Sequence, residues 1–235
     1  MSEARAAILE RLRRSLGTGD EEEARRRLVA ARLSRPEPVL VPARARVEGE
    51  ARIALFTEMA EAVQTEVQRL DSFAEIATAT SRYLRLHNLP QKLVAAPDPM
   101  LDAAGWDRQP LLRVRRGNAD PGDAVGMTLA FAGIAETGTL MLVSAPERPV
   151  MLAFLPETCI VVLPLSRLDG AYEESWARLR ALSPMPPRAV NLVTGPSRTA
   201  DIANALTLGA HGPKRLLVLL VPEPETPEPE SAGDA

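Results

Sequence analysis

Two short, uninterrupted apolar runs constrain the fold of this chain more than any other feature. They are Cys159-Ile160-Val161-Val162-Leu163 and Leu216-Leu217-Val218-Leu219-Leu220-Val221. A strand with one wet face alternates apolar and polar residues. A run without alternation belongs to a strand buried on both faces, as in a parallel sheet with helices on either side. Neither run approaches the roughly 20 residues needed to cross a bilayer, and no secretory signal pattern opens the sequence, so the expected location is the cytoplasm. With 235 residues, one domain can bury roughly 70–75% of its unfolded surface.

The rest of the pattern agrees with an α/β sheet. Helical periodicity falls at 51–64, 73–87 and 172–182, and strand-like stretches at 66–70, 92–96, 111–114, 124–128, 139–144, 189–193 and 215–221. Alternation of the two predicts a mostly parallel sheet with helices on both faces. Aromatic residues are only 3% of the chain, so Leu, Val, Ile and Ala must fill its core. Two further helices are predicted at 2–16 and 20–33, the first ended by Gly17, before a linker marked by Pro36, Pro38 and Pro42. The expected organisation is an N-terminal helical arm and linker over 1–47, an α/β domain over 48–222, and a disordered acidic, proline-rich tail over 223–235. The arm either docks on a partner, packs on its own domain, or stays mobile.

Composition excludes several classes of function. A net charge of −3 argues against a general nucleic-acid binder. Basic residues are arginines apart from Lys92 and Lys214, as a GC-rich genome would produce. The single cysteine, Cys159, rules out an internal disulfide and any Cys-ligated cluster or Cys₄ zinc site built from this chain alone. It reads as a buried structural thiol. His87 and His211 lack the spacing of a metal site. His87 reads as a helix C-terminal residue, and His211 as either a turn residue or an acid/base group.

Two segments carry chemical information. In the first, Ala135-Glu136-Thr137-Gly138-Thr139-Leu140, a carboxylate lies at the entrance to an apolar strand. Glu136 there could act as base or nucleophile, and Gly138 would let a ligand approach the backbone closely. The plain alternative is a polar turn. The second, Thr194-Gly195-Pro196-Ser197-Arg198-Thr199-Ala200-Asp201-Ile202, follows a predicted strand, where α/β proteins hold ligands. Ser197 or Thr199 would cap a following helix whose free N–H groups could hold an anion, with Arg198 as a fork for carboxylate or phosphate. Alternatively Thr199 only caps, Arg198 only pairs with a neighbour, and Asp201 only favours the helix dipole. The segment has neither P-loop nor dinucleotide-binding glycine spacing.

Taken together, these two strings and Leu208-Gly209-Ala210-His211-Gly212-Pro213 resemble, in order and spacing, the signature of the LUD-domain family. The opening helix, ending Arg14-Ser15-Leu16-Gly17, is similar to the N-terminus of its lactate-utilization protein C (LutC/YkgG) branch. The resemblance implies an α/β fold similar to the NagB/RpiA/CoA-transferase-like superfold. It also implies a part in oxidising lactate to pyruvate alongside partner proteins that carry the iron–sulfur clusters, with no cofactor in this chain. Phe131 stands where the family usually has an acid. Two other functions remain open. One is an independent enzyme acting on an acyl, CoA or phosphorylated small molecule, since CoA-transferases of similar fold use a glutamate before a small-residue–Gly turn. The other is a non-catalytic binding or regulatory module docked through the first helices. A site would comprise Glu136, Thr137, Gly138 and Thr139 facing Gly195, Ser197, Arg198 and Thr199.

Overall fold

The computed structural model describes residues 3–16, 20–34, 40–182, 187–200, 206–208 and 212–224. The chain divides into two compact units, Met1–Leu40 and Val41–Ala235. The first contains helices α1 (Glu3–Leu16) and α2 (Asp20–Ser34). The apolar stripe of α1, Ile8, Leu9, Leu12 and Leu16, is exposed. Gly17, Pro36 and Pro38 lie outside the described residues.

In the second unit, α3 (Gly49–Ala62), β1 (Glu66–Arg69), α4 (Ile76–Leu86), β2 (Lys92–Ala95), β3 (Arg113–Arg116) and β4 (Val125–Leu129) lead to β5 (Ala132–Ile134) and β6 (Thr139–Val143). Then follow α5 (Met151–Phe154), β7 (Thr158–Pro164), β8 (Leu168–Asp169), α6 (Tyr172–Leu182), β9 (Val190–Val193), β10 (Arg198–Ala200), β11 (Leu206–Leu208) and β12 (Arg215–Val221). Strand β3 begins two residues later than the sequence pattern suggests, because Leu112 ends a turn and it is Arg113–Arg116 that pairs with β2.

The main sheet has six parallel strands in the order β1-β12-β7-β4-β2-β3. The two apolar runs are its neighbouring strands β7 and β12, in register from Arg215 opposite Thr158 to Val221 opposite Pro164. Their side chains divide cleanly between two cores. Ile160, Val162, Leu217, Leu219 and Val221 pack on one face with Ile76, Tyr83 and Leu84 of α4. Cys159, Val161, Leu163, Leu216, Val218 and Leu220 pack on the other with Phe56 and Ala60 of α3 and Leu140 and Leu142 of β6. Each fully buried aliphatic side chain contributes about 1.5–3 kcal/mol, so these two strands hold both faces.

A second, four-stranded sheet has the order β8-β5-β6-β9, with β5–β6 and β6–β9 antiparallel and β5–β8 parallel. The chain enters it from the carboxyl ends of adjacent main-sheet strands, from β4 into β5 and from β7 into β8. At the first crossing Ala130 N–H still donates to Val162 O of the main sheet at 2.9 Å, while Phe131 N–H already donates to Met141 O of the second sheet at 2.9 Å.

Cys159 is buried in β7, and burial pushes its thiol up to about 12. Thiolate is the reactive form. The folded protein at pH 8 should therefore resist a disulfide-exchange reagent, and one thiol per chain should appear on denaturation. Rapid stoichiometric labelling of the native protein would contradict this placement.

Candidate functional site

The segment carrying Glu136 is the turn joining β5 to β6, since Ile134 pairs with Thr139 and residues 135–138 form the connection. Gly138 has φ +64°, and an added Cβ would lie 2.3 Å from the Ala60 backbone nitrogen. The close approach that this glycine permits is therefore made by the last turn of α3, not by a ligand. Gly195 has the same role, with φ +80° and an added Cβ 2.6 Å from Val63 O. Both sequence strings are thus seated on the carboxyl end of α3.

Glu136 is 6% exposed. Its N–H donates to Gly170 O at 3.0 Å, and its Oε1 accepts from the Tyr172 N–H at 3.3 Å. The carboxylate therefore faces the first residue of α6, where unpaired N–H groups and the helix dipole favour negative charge. Its observed partner is a helix N-terminus, so holding α6 in place is a role the geometry gives it directly.

The neighbouring hydroxyls form a connected set around the fully buried Thr139. Thr139 Oγ1 lies 2.7 Å from Thr137 Oγ1, 3.0 Å from the Tyr172 hydroxyl and 2.7 Å from Thr194 Oγ1, and Thr137 Oγ1 donates to the Tyr172 hydroxyl at 3.0 Å. Every member can both donate and accept, so the set can reorient its protons without leaving a group unpaired. It is also the physical link between the two strings, because Thr139 and Thr194 adjoin the antiparallel pair β6–β9. Sequence reasoning missed Tyr172 and did not assign Thr194. Tyr172 opens a predicted helix, which marks an element boundary but not a partner 33 residues away.

The second string departs from expectation. No helix begins at Ser197 or Thr199. Arg198–Ala200 is strand β10, antiparallel to β11, with Arg198 opposite Leu208 and Ala200 opposite Leu206. The backbone N–H groups expected to hold an anion at a helix start are instead placed on a hairpin. The reason is a ladder partner six to ten residues away, which local capping signals cannot reveal. Ser197 N–H donates to Pro213 O at 2.8 Å, fixing the string against the start of β12. Val63, Phe154, Leu192, Gly195, Ser197 and Arg198 are among the residues lining an open cleft of about 440 Å³. Arg198 is exposed there and makes no ion pair among the described residues. Glu136, Thr137, Gly138 and Thr139 are not among the described lining residues. The side chain of Thr199, together with Asp201, Ile202 and His211, lies outside the described residues.

A parallel α/β sheet with a second sheet growing from its carboxyl edge, and two glycine turns docked on one helix, define an α/β protein of two joined sheets. Residues 115–221 match the model of the LUD domain. The chain is similar to lactate utilization protein C of Geobacillus thermodenitrificans, 32% identical over 111 residues, or 45% of this chain and 46% of that one. It is similar also to lactate utilization protein C of Bacillus licheniformis, 31% identical over 123 residues, or 51% and 48% of the two chains. An uncharacterized protein of Neisseria meningitidis serogroup B is 38% identical over 96 residues, 41% of each chain. The chain thus matches just under half the length of these relatives. The crystal structure of a DUF162 family protein from Deinococcus radiodurans shares the fold, with a TM-score of 0.59 and 18% identity over 74% of this chain and 99% of that one.

Gly138→Ala should destabilise the protein by more than about 1 kcal/mol, through the positive φ and the clash with α3. Gly122→Ala, where an added Cβ meets nothing within 4 Å, is the control. Denaturant melts of the two variants check this, and equal midpoints would contradict the docking of the turn. Arg198→Ala should leave the melting temperature within about 2 °C of the parent, because an exposed side chain with no ion pair among the described residues contributes at most a few tenths of a kcal/mol.

Proposed function

We propose that this chain is a component of a lactate-utilization system, acting with partner proteins that carry iron–sulfur clusters. The observation that carries this reading is the similarity to lactate utilization protein C over 111 residues, beside a LUD-domain match over 115–221, which takes in the second sheet, both glycine turns and β4, β7 and β12 of the main sheet. Oxidation of lactate to pyruvate releases two electrons and two protons, and the electrons need an acceptor. The only cysteine of this chain is Cys159, sealed inside β7. Cluster ligands on this reading therefore come from another chain. The exposed apolar stripe of α1, in Met1–Leu40, would provide a docking arm. Glu136 and the Thr137–Thr139–Tyr172–Thr194 hydroxyls would hold the second sheet and α6 in the arrangement the partners recognise.

One observation favours a second reading, in which the chain is itself an enzyme for an acyl, CoA or phosphorylated small molecule. Arg198 borders the 440 Å³ cleft without a carboxylate partner among the described residues. Such a fork suits an anionic ligand.

A non-polar, in-frame deletion of the gene should abolish growth on lactate as sole carbon source but not on glucose, and the intact gene should restore it. Unimpaired growth on lactate would overturn the proposal and favour the second reading. With growth as the readout, Glu136→Gln should weaken complementation if the carboxylate charge at the start of α6 matters.

A further inference from the structure

The carboxyl edge of a parallel sheet is where α/β proteins place ligands. Here that edge holds a second, smaller cavity of about 230 Å³, lined by Phe131, Arg148, Arg167, Arg178 and Leu182. Phe131 follows the end of β4, and Arg167 follows the end of β7, its neighbour in the sheet. Arg178 belongs to α6, and Arg148 lies in the turn after β6. These residues come from four separate stretches of sequence and converge only through the crossings between the two sheets.

Three guanidinium groups around one cavity are costly unless their charges are answered. Two of them are. Arg148 Nε donates to Oδ2 of the buried Asp98 at 2.6 Å. Arg178 Nη2 pairs with Oδ1 of the buried Asp169, whose other oxygen accepts from Ser175 Oγ at 2.7 Å. Arg167 differs. Its Nη1 donates to Ala130 O at 3.2 Å and its Nη2 meets Met100 Sδ at 2.9 Å, both neutral partners. Burial, and then the neighbouring charge of Arg148, hold its pKa below the usual arginine range, with Glu223 and Asp98 opposing from further off. Glu223 itself is exposed and bonded to Ser166. Among the described residues, the cavity therefore keeps one half-buried guanidinium whose direct partners are neutral, braced by two arginines already held in position by buried acids.

We infer that this cavity is a binding site for a small organic carboxylate, its carboxyl group held by Arg167 between Arg148 and Arg178 and its carbon skeleton lying against Phe131 and Leu182. An arginine fork matches a carboxylate bidentately. The apolar residues favour an organic acid over inorganic phosphate. The volume falls below the roughly 300–1,000 Å³ typical of pockets for drug-sized ligands, which suits a small acid better than a nucleotide or CoA. The site is separate from the Arg198 cleft and does not depend on the lactate reading, so the growth experiment leaves it untouched.

Calorimetric titration of the full chain with pyruvate, benzoate and phenylacetate, with inorganic phosphate as comparison at matched ionic strength, tests it. At least one carboxylate should bind with a dissociation constant at or below about 10 mM and more tightly than phosphate. Arg167→Met should weaken that binding by about tenfold or more while the ligand-free melting temperature holds or rises, since a cation paired only with neutral groups is removed. Arg167→Lys keeps the charge without the fork, and should fold normally and bind more weakly than the parent. Arg198→Ala should bind as the parent does. Absence of carboxylate binding, tighter binding of phosphate, binding unaffected by Arg167→Met and Arg167→Lys, or binding lost in Arg198→Ala would each overturn the inference.

Discussion

The pairing of β7 with β12 is the constraint on which the rest of this structure depends. Both strands are buried on both faces, and their side chains alternate between two separate cores. Remove that double burial and neither α4 on one side nor α3 and β6 on the other has a surface to pack on. The pairing also fixes register over seven residues, and register decides which carboxyl ends stand together. Those ends are where the chain leaves the main sheet to build the second one.

The crossing after β4 shows how little chain is needed to change sheets. Ala130 is bonded to one sheet and Phe131 to the other. Both N–H groups at the junction keep a partner, and the Ala130 carbonyl accepts from Arg167, which matters because an unpaired buried N–H or C=O costs as much as a lost hydrogen bond. Placing β5 and β6 this way brings the 135–138 turn onto α3, and α3 receives Gly195 as well. One helix end thus orders two strings that lie nearly sixty residues apart. The hydroxyl set centred on Thr139 then ties the strings to each other and to Tyr172 of α6.

Electrostatics distinguishes the two clefts of this unit. At the 440 Å³ cleft the charge is an exposed guanidinium on a hairpin, screened by solvent. At the smaller cavity the charges sit beside buried acids, Asp98 and Asp169, in surroundings where fields are screened less. Burial pushes the Asp169 carboxyl upward against the pull of Ser175 and Arg178. The acid is held in place by its neighbours and not by solvent. Arginines anchored in this way are preorganised in a manner that an exposed side chain is not.

The sequence by itself determined the parallel sheet, the helices on its two faces and the burial of Cys159, because each follows from periodicity within a dozen residues: uninterrupted apolar runs, helical spacing and strand-length segments between turns. It also singled out both glycine strings, since Gly138 and Gly195 mark backbone that other residues adopt poorly. Only the tertiary structure decided what those glycines face, that residues after Ser197 pair as a hairpin instead of starting a helix, that β5, β6, β8 and β9 form a sheet of their own, and that Arg148, Arg167 and Arg178 surround one cavity. Each of these rests on partners far apart in the chain, and a local pattern records what a segment can bury or bond but not which distant segment arrives to meet it.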